Sequence, residues 1–296
     1  MPEQIFLESM ARVADTQGKI WCTGSLGIQY TNPKNHWIYR HFIEKPLADS
    51  EVFTWPTLEN PYFPKAELER LKDTLDARTY QALFNLNWDI QPANRVYEEF
   101  SEENLKEGSY DPNLETYVSV DWGWTHRAVC LFIQYDPKLD CVYVIDEIAE
   151  SKLLLDQFFE KIKKRPYNIK DYFCDISGKQ EQAQTGLSNI AWFRNNGIFF
   201  RYRKVGIAHS VALVRSYVKN MQGVRRLFIN PKKCPKLVDG MTNYAYDLKN
   251  GEIDSELPLK KEDDEVDALR YFFANRLDFT RPKDSFVEFD RWKALA

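Results

Sequence analysis

Between residues 116 and 148 three apolar, β-branched runs follow one another with only short polar breaks: 116–121, 128–135 and 141–148. Runs of this length read as strands, and an antiparallel meander is the simplest way to join them, with Pro137-Lys138 in the second turn. The pattern then changes. Helical periodicities over 152–164, 179–196 and 207–221 alternate with strand-like runs at 171–174, 198–203 and 226–229. Strands separated by helices enter a sheet in parallel. The unit that begins near Leu114 is therefore predicted to be a mixed sheet flanked by helices. Asn250-Gly251 marks a hairpin between 244–249 and 252–259, and a last helix starts near Asp263.

The preceding third is α/β with few strands. Apolar residues at helical spacing predict a helix over 4–14, Lys19-Ile-Trp-Cys-Thr-Gly24 reads as a strand running into a small-residue loop, and a further helix is expected around 36–43. After Pro56, Pro61 and Pro64, helices are expected at 66–75 and 78–85, broken near Asp76. The charged segment 99–113, which contains Gly108 and Pro112, reads as a linker. The 296 residues thus divide into 1–98, the linker 99–113, a second unit over 114–277 and a tail, 278–296.

Five cysteines, odd in number and without a C-x-x-C pair, suit a reducing compartment. No apolar run approaches the roughly 18–20 residues that cross a bilayer, and Met1-Pro2-Glu3 begins no signal peptide. A soluble, intracellular protein without a membrane partner is expected.

Aspartates mark the chemistry. Asp121 ends the first strand of the second unit and Asp175 ends the fourth, each just before a glycine-containing turn. Ligands gather at the carboxyl ends of strands in such sheets. On the last helix Asp263, Asp264 and Asp267 crowd the first turn, where the dipole favours negative charge, and the i,i+3 spacing puts 264 and 267 on one face. Carboxylates folded together repel, and a divalent cation between them keeps them ionised. Asp121, Asp175 and Asp267, with Asp264 as a further ligand, are the candidate metal-binding and catalytic residues. Two Mg²⁺ or Mn²⁺ ions roughly 3.5–4 Å apart would support phosphodiester hydrolysis. The plainer alternative makes these residues caps and turn formers, although capping does not account for an acid ending the apolar run 117–120. Glu147, closing the third strand, is a candidate supporting residue behind the ligands. His126 and His209 lack the spacing of a zinc site.

The formal charge of −4 conceals a local asymmetry: from residue 194 to 236 there is no Asp or Glu. Arg194, Arg201, Arg203, Lys204, Arg215, Lys219, Arg225 and Arg226 are candidate phosphate contacts, interleaved with Tyr202 and Tyr217. Nothing in the stretch reads bases, so backbone binding is expected. An unpartnered basic surface is the alternative.

Val118-Ser-Val-Asp-Trp-Gly-Trp-Thr125, Tyr172-Phe-Cys-Asp175 and Asp264-Glu-Val-Asp-Ala-Leu-Arg-Tyr271 after the Asn250-Gly251 hairpin together resemble the nuclease domain of the large terminase subunit of tailed bacteriophages, an RNase H-like fold. The resemblance assigns Asp121, Asp175 and Asp267 to the family's metal-binding acids. Asp264 stands where many relatives have histidine. Trp21-Cys-Thr-Gly-Ser25 and Asn60-Pro-Tyr-Phe-Pro64 resemble later parts of the family's packaging ATPase and its helical connecting subdomain. No G-x-x-x-x-G-K-[ST] loop occurs in the chain, so the first unit resembles a P-loop ATPase remnant, and this chain alone is not expected to hydrolyse ATP.

The resemblance implies an Mg²⁺- or Mn²⁺-dependent endonuclease that cuts concatemeric double-stranded DNA during viral genome packaging. Its implied partners are DNA, portal, small terminase subunit and a separate ATPase fragment; its implied location is the host cytoplasm and, transiently, the procapsid. Two other readings stand beside it: a non-catalytic DNA-binding or docking module of a split motor, and a junction-resolving or transposase-like nuclease of the same fold.

Overall fold

The computed structural model describes residues 3–278 apart from 15, 25–33, 35, 89–93, 124–125, 181–186, 250–251 and 261–262. The chain opens with α1 (Glu3–Val13), whose buried Phe6 stacks on Trp37 at 4.8 Å. Its first residue, Glu3, bonds Arg40 at 2.9 Å and His41 at 2.7 Å, which ties the helix to a π-helical turn, Tyr39–Glu44. The strand expected at 19–24 does not form. Residues 19–24 have no strand partner among the described residues, and Trp21 is 80% exposed; β-prone residues make a strand only where a neighbour supplies the ladder.

Helices α2 (Lys65–Thr74) and α3 (Ala77–Phe84) break where the sequence predicts, because Asp76 caps α3 by accepting from the Thr79 amide at 3.1 Å. The pair is docked on the second unit rather than tethered to it. Met221 N donates to Leu75 O at 2.8 Å, and the Asn220 side chain donates to Asp73 O at 2.7 Å. The segment read as a linker is likewise part of the packed structure. Phe100 and Asn104 are buried, and Asn104 Nδ2 donates to Val218 O and Leu227 O at 3.0 and 2.9 Å. Charge and glycine content mark a loop here but not a loose one, since Asn104 satisfies backbone carbonyls of the neighbouring elements.

Strands β1 (Glu115–Asp121), β2 (Arg127–Asp136) and β3 (Cys141–Ser151) form the expected meander. β4 (Ile169–Cys174) lies parallel to β1, β5 (Phe200–Arg201) parallel to β4, and β6 (Leu227–Ile229) parallel to β3, giving the order β5-β4-β1-β2-β3-β6. β7 (Tyr246–Lys249) and β8 (Glu252–Pro258) make a separate hairpin; its Asn250-Gly251 turn lies outside the described residues, as does the 279–296 part of the tail.

Alternation along the strands divides the interior into two layers. Tyr117, Val129, Leu131 and Phe173 pack against α6 (Ile207–Val218), α7 (Pro235–Asn243) and α8 (Asp264–Phe272). Val118, Val120, Cys130 and Phe132 pack against α4 (Leu155–Lys163) and α5 (Asn189–Asn195). β2 is sealed on both faces, which explains its unbroken apolar run.

Three elements of the second unit also depart from expectation, the first being the strand predicted over 198–203, which pairs only at Phe200–Arg201. Of the helix predicted over 179–196, the described residues form α5 and, before it, a 3-10 turn at Ile176–Lys179; 181–186 lie outside the described residues. Helix α7 is additional; its signals are Pro235 in the first turn and buried Leu237 and Met241 at i,i+4 spacing.

Candidate active site

Backbone register brings Asp121 and Asp175 together. β1 and β4 pair in parallel with Val120 opposite Cys174, so each aspartate is the next residue at the same end of adjacent strands, which lie roughly 4.8 Å apart. The turns after them are shaped by two glycines. A side chain at Gly123 would collide with the Arg127 carbonyl at 2.2 Å, and one at Gly178 with the Trp122 indole nitrogen at 2.3 Å. The close approach of Gly123 to the Arg127 carbonyl and of Gly178 to the Trp122 indole both need the missing Cβ.

The third acid arrives on α8. Ser119, two residues before Asp121 and on the same face of β1, donates its hydroxyl to the Ala268 carbonyl at 2.6 Å. That bond seats α8 over the end of β1, and Asp267 precedes Ala268. Val266, Leu269 and Phe272 are fully buried beneath the helix, so its first turn, with Asp264 and Asp267, is pressed toward the strand ends.

The electrostatics report the convergence. Burial pushes the Asp121 carboxyl well above the usual carboxylate range, and the charges of Asp267, Asp264, Asp175 and Asp263 push it further. Asp263 is raised by burial, then by Asp267. The Tyr271 hydroxyl is raised by burial and by Asp121, Asp267 and Asp175. Among the described residues the Asp121 carboxylate, which is partly exposed, receives no hydrogen bond, while four other acids repel it.

The other acids have local donors. Asp175 accepts from the amides of Ile176 at 2.6 Å and Ser177 at 3.2 Å. Asp267 accepts from Arg270 at 2.5 and 3.1 Å, and Arg270 is itself anchored on Ser210 Oγ at 2.8 Å. Asp264 accepts from the Arg127 amide at 3.2 Å, while the Arg127 guanidinium pairs with the fully buried Glu265 at 2.7 Å. Among the described residues no three His, Cys, Asp or Glu side chains close to the distances of a shared metal ion. The donor set nevertheless suits a hard divalent cation: oxygen-only side chains, one of them unbonded and repelled by its neighbours. Arg270 was accessible to sequence reasoning through its i,i+3 spacing from Asp267; the Arg127–Glu265 pair, 138 residues apart, carries no local signal.

Glu147 has a different task from the supporting role expected of it. Its two oxygens accept from the amides of Lys236 at 2.8 Å and Leu237 at 2.9 Å, capping α7. Burial raises its pKa to about 7 against the pull of those two amides. Both oxygens of this carboxylate are engaged at the helix start.

The basic segment is also corrected in part. Arg225 pairs with Glu103 at 2.7 Å and bonds Glu99 O and Asn104; Arg226 holds Asp73 at 2.5 Å. Arg215 donates to Val96 O and Tyr246, and Arg203, 7% exposed, pairs with Asp278. These four guanidinium groups stitch the fold, which explains why the segment needs no acids of its own: its counter-charges come from elsewhere in the chain. Lys219 pairs with Glu99 at 2.6 Å and Arg201 with Asp171 at 3.2 Å, both nearer the surface. Lys204 is exposed and Arg194 half-buried. His209 lies 3.1 Å from Asp278.

Neither a family model nor a curated protein sequence matches the chain. Solved structures do. The large terminase of a thermophilic bacteriophage, in complex with ATP-gamma-S, aligns over 94% of this chain and 68% of its own, with a TM-score of 0.70 and 19% identity. The ADP complex of the same terminase aligns over 92% of this chain and 66% of its own, with a TM-score of 0.68 and 19% identity. The P22 large terminase nuclease domain aligns over 60% of this chain and 90% of its own, with a TM-score of 0.50 and 18% identity. The chain therefore has the fold of phage large terminase subunits, spanning about two thirds of their full length and including a stretch like the nuclease domain.

Proposed function

We propose that this chain is a metal-dependent DNA endonuclease of the terminase type, cutting double-stranded DNA during viral genome packaging. The observation that carries the reading is Asp121: a partly exposed carboxylate without a hydrogen-bond donor among the described residues, level with Asp175, faced by the first turn of α8 and repelled by the acids there. Such an arrangement is costly for a structural acid and useful for a ligand.

Asp121, Asp175 and Asp267 are the residues to hold Mg²⁺ or Mn²⁺, with Asp264 at the margin. When bound, divalent ions supply the Lewis acidity that activates a water and stabilises the leaving oxygen. The chain contributes position. The register of β1 and β4 sets the spacing of two carboxylates, the Ser119–Ala268 bond sets the height of the third, and Arg270 holds Asp267 in one rotamer. Portal, small subunit and an ATPase fragment belong to this proposal as partners, with the host cytoplasm and procapsid as its setting.

A second reading is favoured by the remaining acids. Asp175, Asp264 and Asp267 already have donors, as structural caps do, which fits a non-catalytic DNA-binding module. Supercoiled plasmid with Mn²⁺ or Mg²⁺ separates the two: nicking that is lost in Asp121→Ala, Asp175→Ala and Asp267→Ala supports the nuclease, and no nicking in either metal supports the module.

A further inference from the structure

β3 outruns its neighbour. It pairs with β6 only from Val142 to Val144, and after Asn230 the chain turns into α7. Beside the uncovered stretch of β3 lies a cleft of about 320 Å³. Five cations line it: Lys161 and Arg165 from the end of α4, and Lys232, Lys233 and Lys236 from the turn into α7. Three are held in place by acids, Lys161 by Glu150 at 2.8 Å, Arg165 by Asp146 at 2.7 Å and Lys232 by Glu107 at 2.8 Å. Lys233 and Lys236 are exposed, and among the described residues neither has an ion-pair partner.

The cleft and the aspartates are in register. Asp121 lies opposite Val129, and Val129 opposite Ala149, a residue of the cleft wall. Two strand spacings put that wall roughly 10 Å from Asp121. Helix α7, which carries Lys236, packs in the same layer as α8.

We propose that this cleft holds the phosphodiester backbone of duplex DNA about three base-pair steps from Asp121, at the roughly 3.4 Å rise per step of a strand. The assignment rests on the nuclease reading for its substrate. An added peptide strand is the competing occupant of an open sheet edge, but the Glu147 side chain reaches from this edge to the amides of Lys236 and Leu237, and seven of the ten lining residues are charged, the five cations outnumbering the acids Glu147 and Glu150.

The test is duplex binding in EDTA, so that cleavage plays no part, using a probe of about two helical turns. Lys233→Glu with Lys236→Glu should weaken binding by about tenfold or more and lower the slope of log affinity against log salt by about two, near one unit for each phosphate no longer neutralised. The control pair, Lys138→Glu with Lys170→Glu at the opposite end of the sheet, should bind as the wild type does. Equal losses in both pairs, or none in the first, overturn the inference. So does binding of a poly-glutamate peptide that shows the same sensitivity while duplex binding is unchanged. Plasmid nicking separates this inference from its premise: nicking with unaltered binding moves the DNA path and leaves the nuclease, whereas weakened binding without any nicking leaves the cleft and removes the nuclease.

Discussion

Ser119 and Ala268 stand 149 residues apart and are joined by a buried 2.6 Å hydrogen bond from the serine hydroxyl to the helix carbonyl. Strand and helix each deliver an aspartate, and this bond fixes one against the other. Ser119→Ala should cost about 1 kcal/mol of stability, the ordinary net worth of one such bond. It should also lower nicking more than the folded fraction accounts for, because α8 loses its seat. Urea unfolding paired with single-turnover nicking checks both.

Arg270 is nearly buried and binds Asp267 through two nitrogens while a third reaches Ser210. Arg270→Leu leaves Asp267 among like charges without its partner, and roughly 3–5 kcal/mol of destabilisation is expected for breaking such a pair. Lysine should not restore it, since the ammonium cannot reproduce the forked geometry. Thermal unfolding of both variants is the measurement.

Asp121 should oppose folding as the pH rises. Its folded pKa lies above the unfolded value, so its contribution is fully present below the unfolded pKa and is lost as pH rises toward and through the folded one. Asp121→Asn should therefore raise the melting temperature in EDTA, with a gap over wild type that is small near the unfolded carboxylate pKa of about 4 and widens as the pH is raised above it. A constant gap would contradict the electrostatic account.

Glu147 separates helix capping from catalysis. Its pKa of about 7 against an ordinary 4.5 means that its contribution is complete below the unfolded value and is lost through the window from about 4.5 to 7. Glu147→Ala should cost about 0.5–2 kcal/mol through the lost cap of α7 and flatten stability over that window. Nicking per folded molecule should survive, measured by pH-dependent unfolding and plasmid assay.

The sheet was legible because β1, β2 and β3 carry their own periodicity and because helices between strands force parallel pairing. Asp121 and Asp175 were legible as strand ends, and the pairing of Val120 with Cys174 then made them neighbours. Tertiary circumstance hid the rest. The 19–24 stretch has strand composition but no strand beside it, and α7 begins at a proline without a Ser, Thr, Asp or Asn cap because its capping oxygen comes from Glu147, 89 residues earlier. Arg215, Arg225 and Arg226 resemble a phosphate-binding run in the sequence because their partners, Tyr246, Glu103 and Asp73, lie far off along the chain.

The proposed activity stands on Asp121, Asp175 and Asp267 sharing divalent metal. Crystals soaked in Mn²⁺ and measured at the manganese absorption edge test this most directly. Anomalous peaks are expected between these carboxylates, two of them roughly 3.5–4 Å apart at full occupancy, with Asp267 still held by Arg270. Manganese bound only elsewhere, or no peak at a concentration that supports nicking, would contradict it.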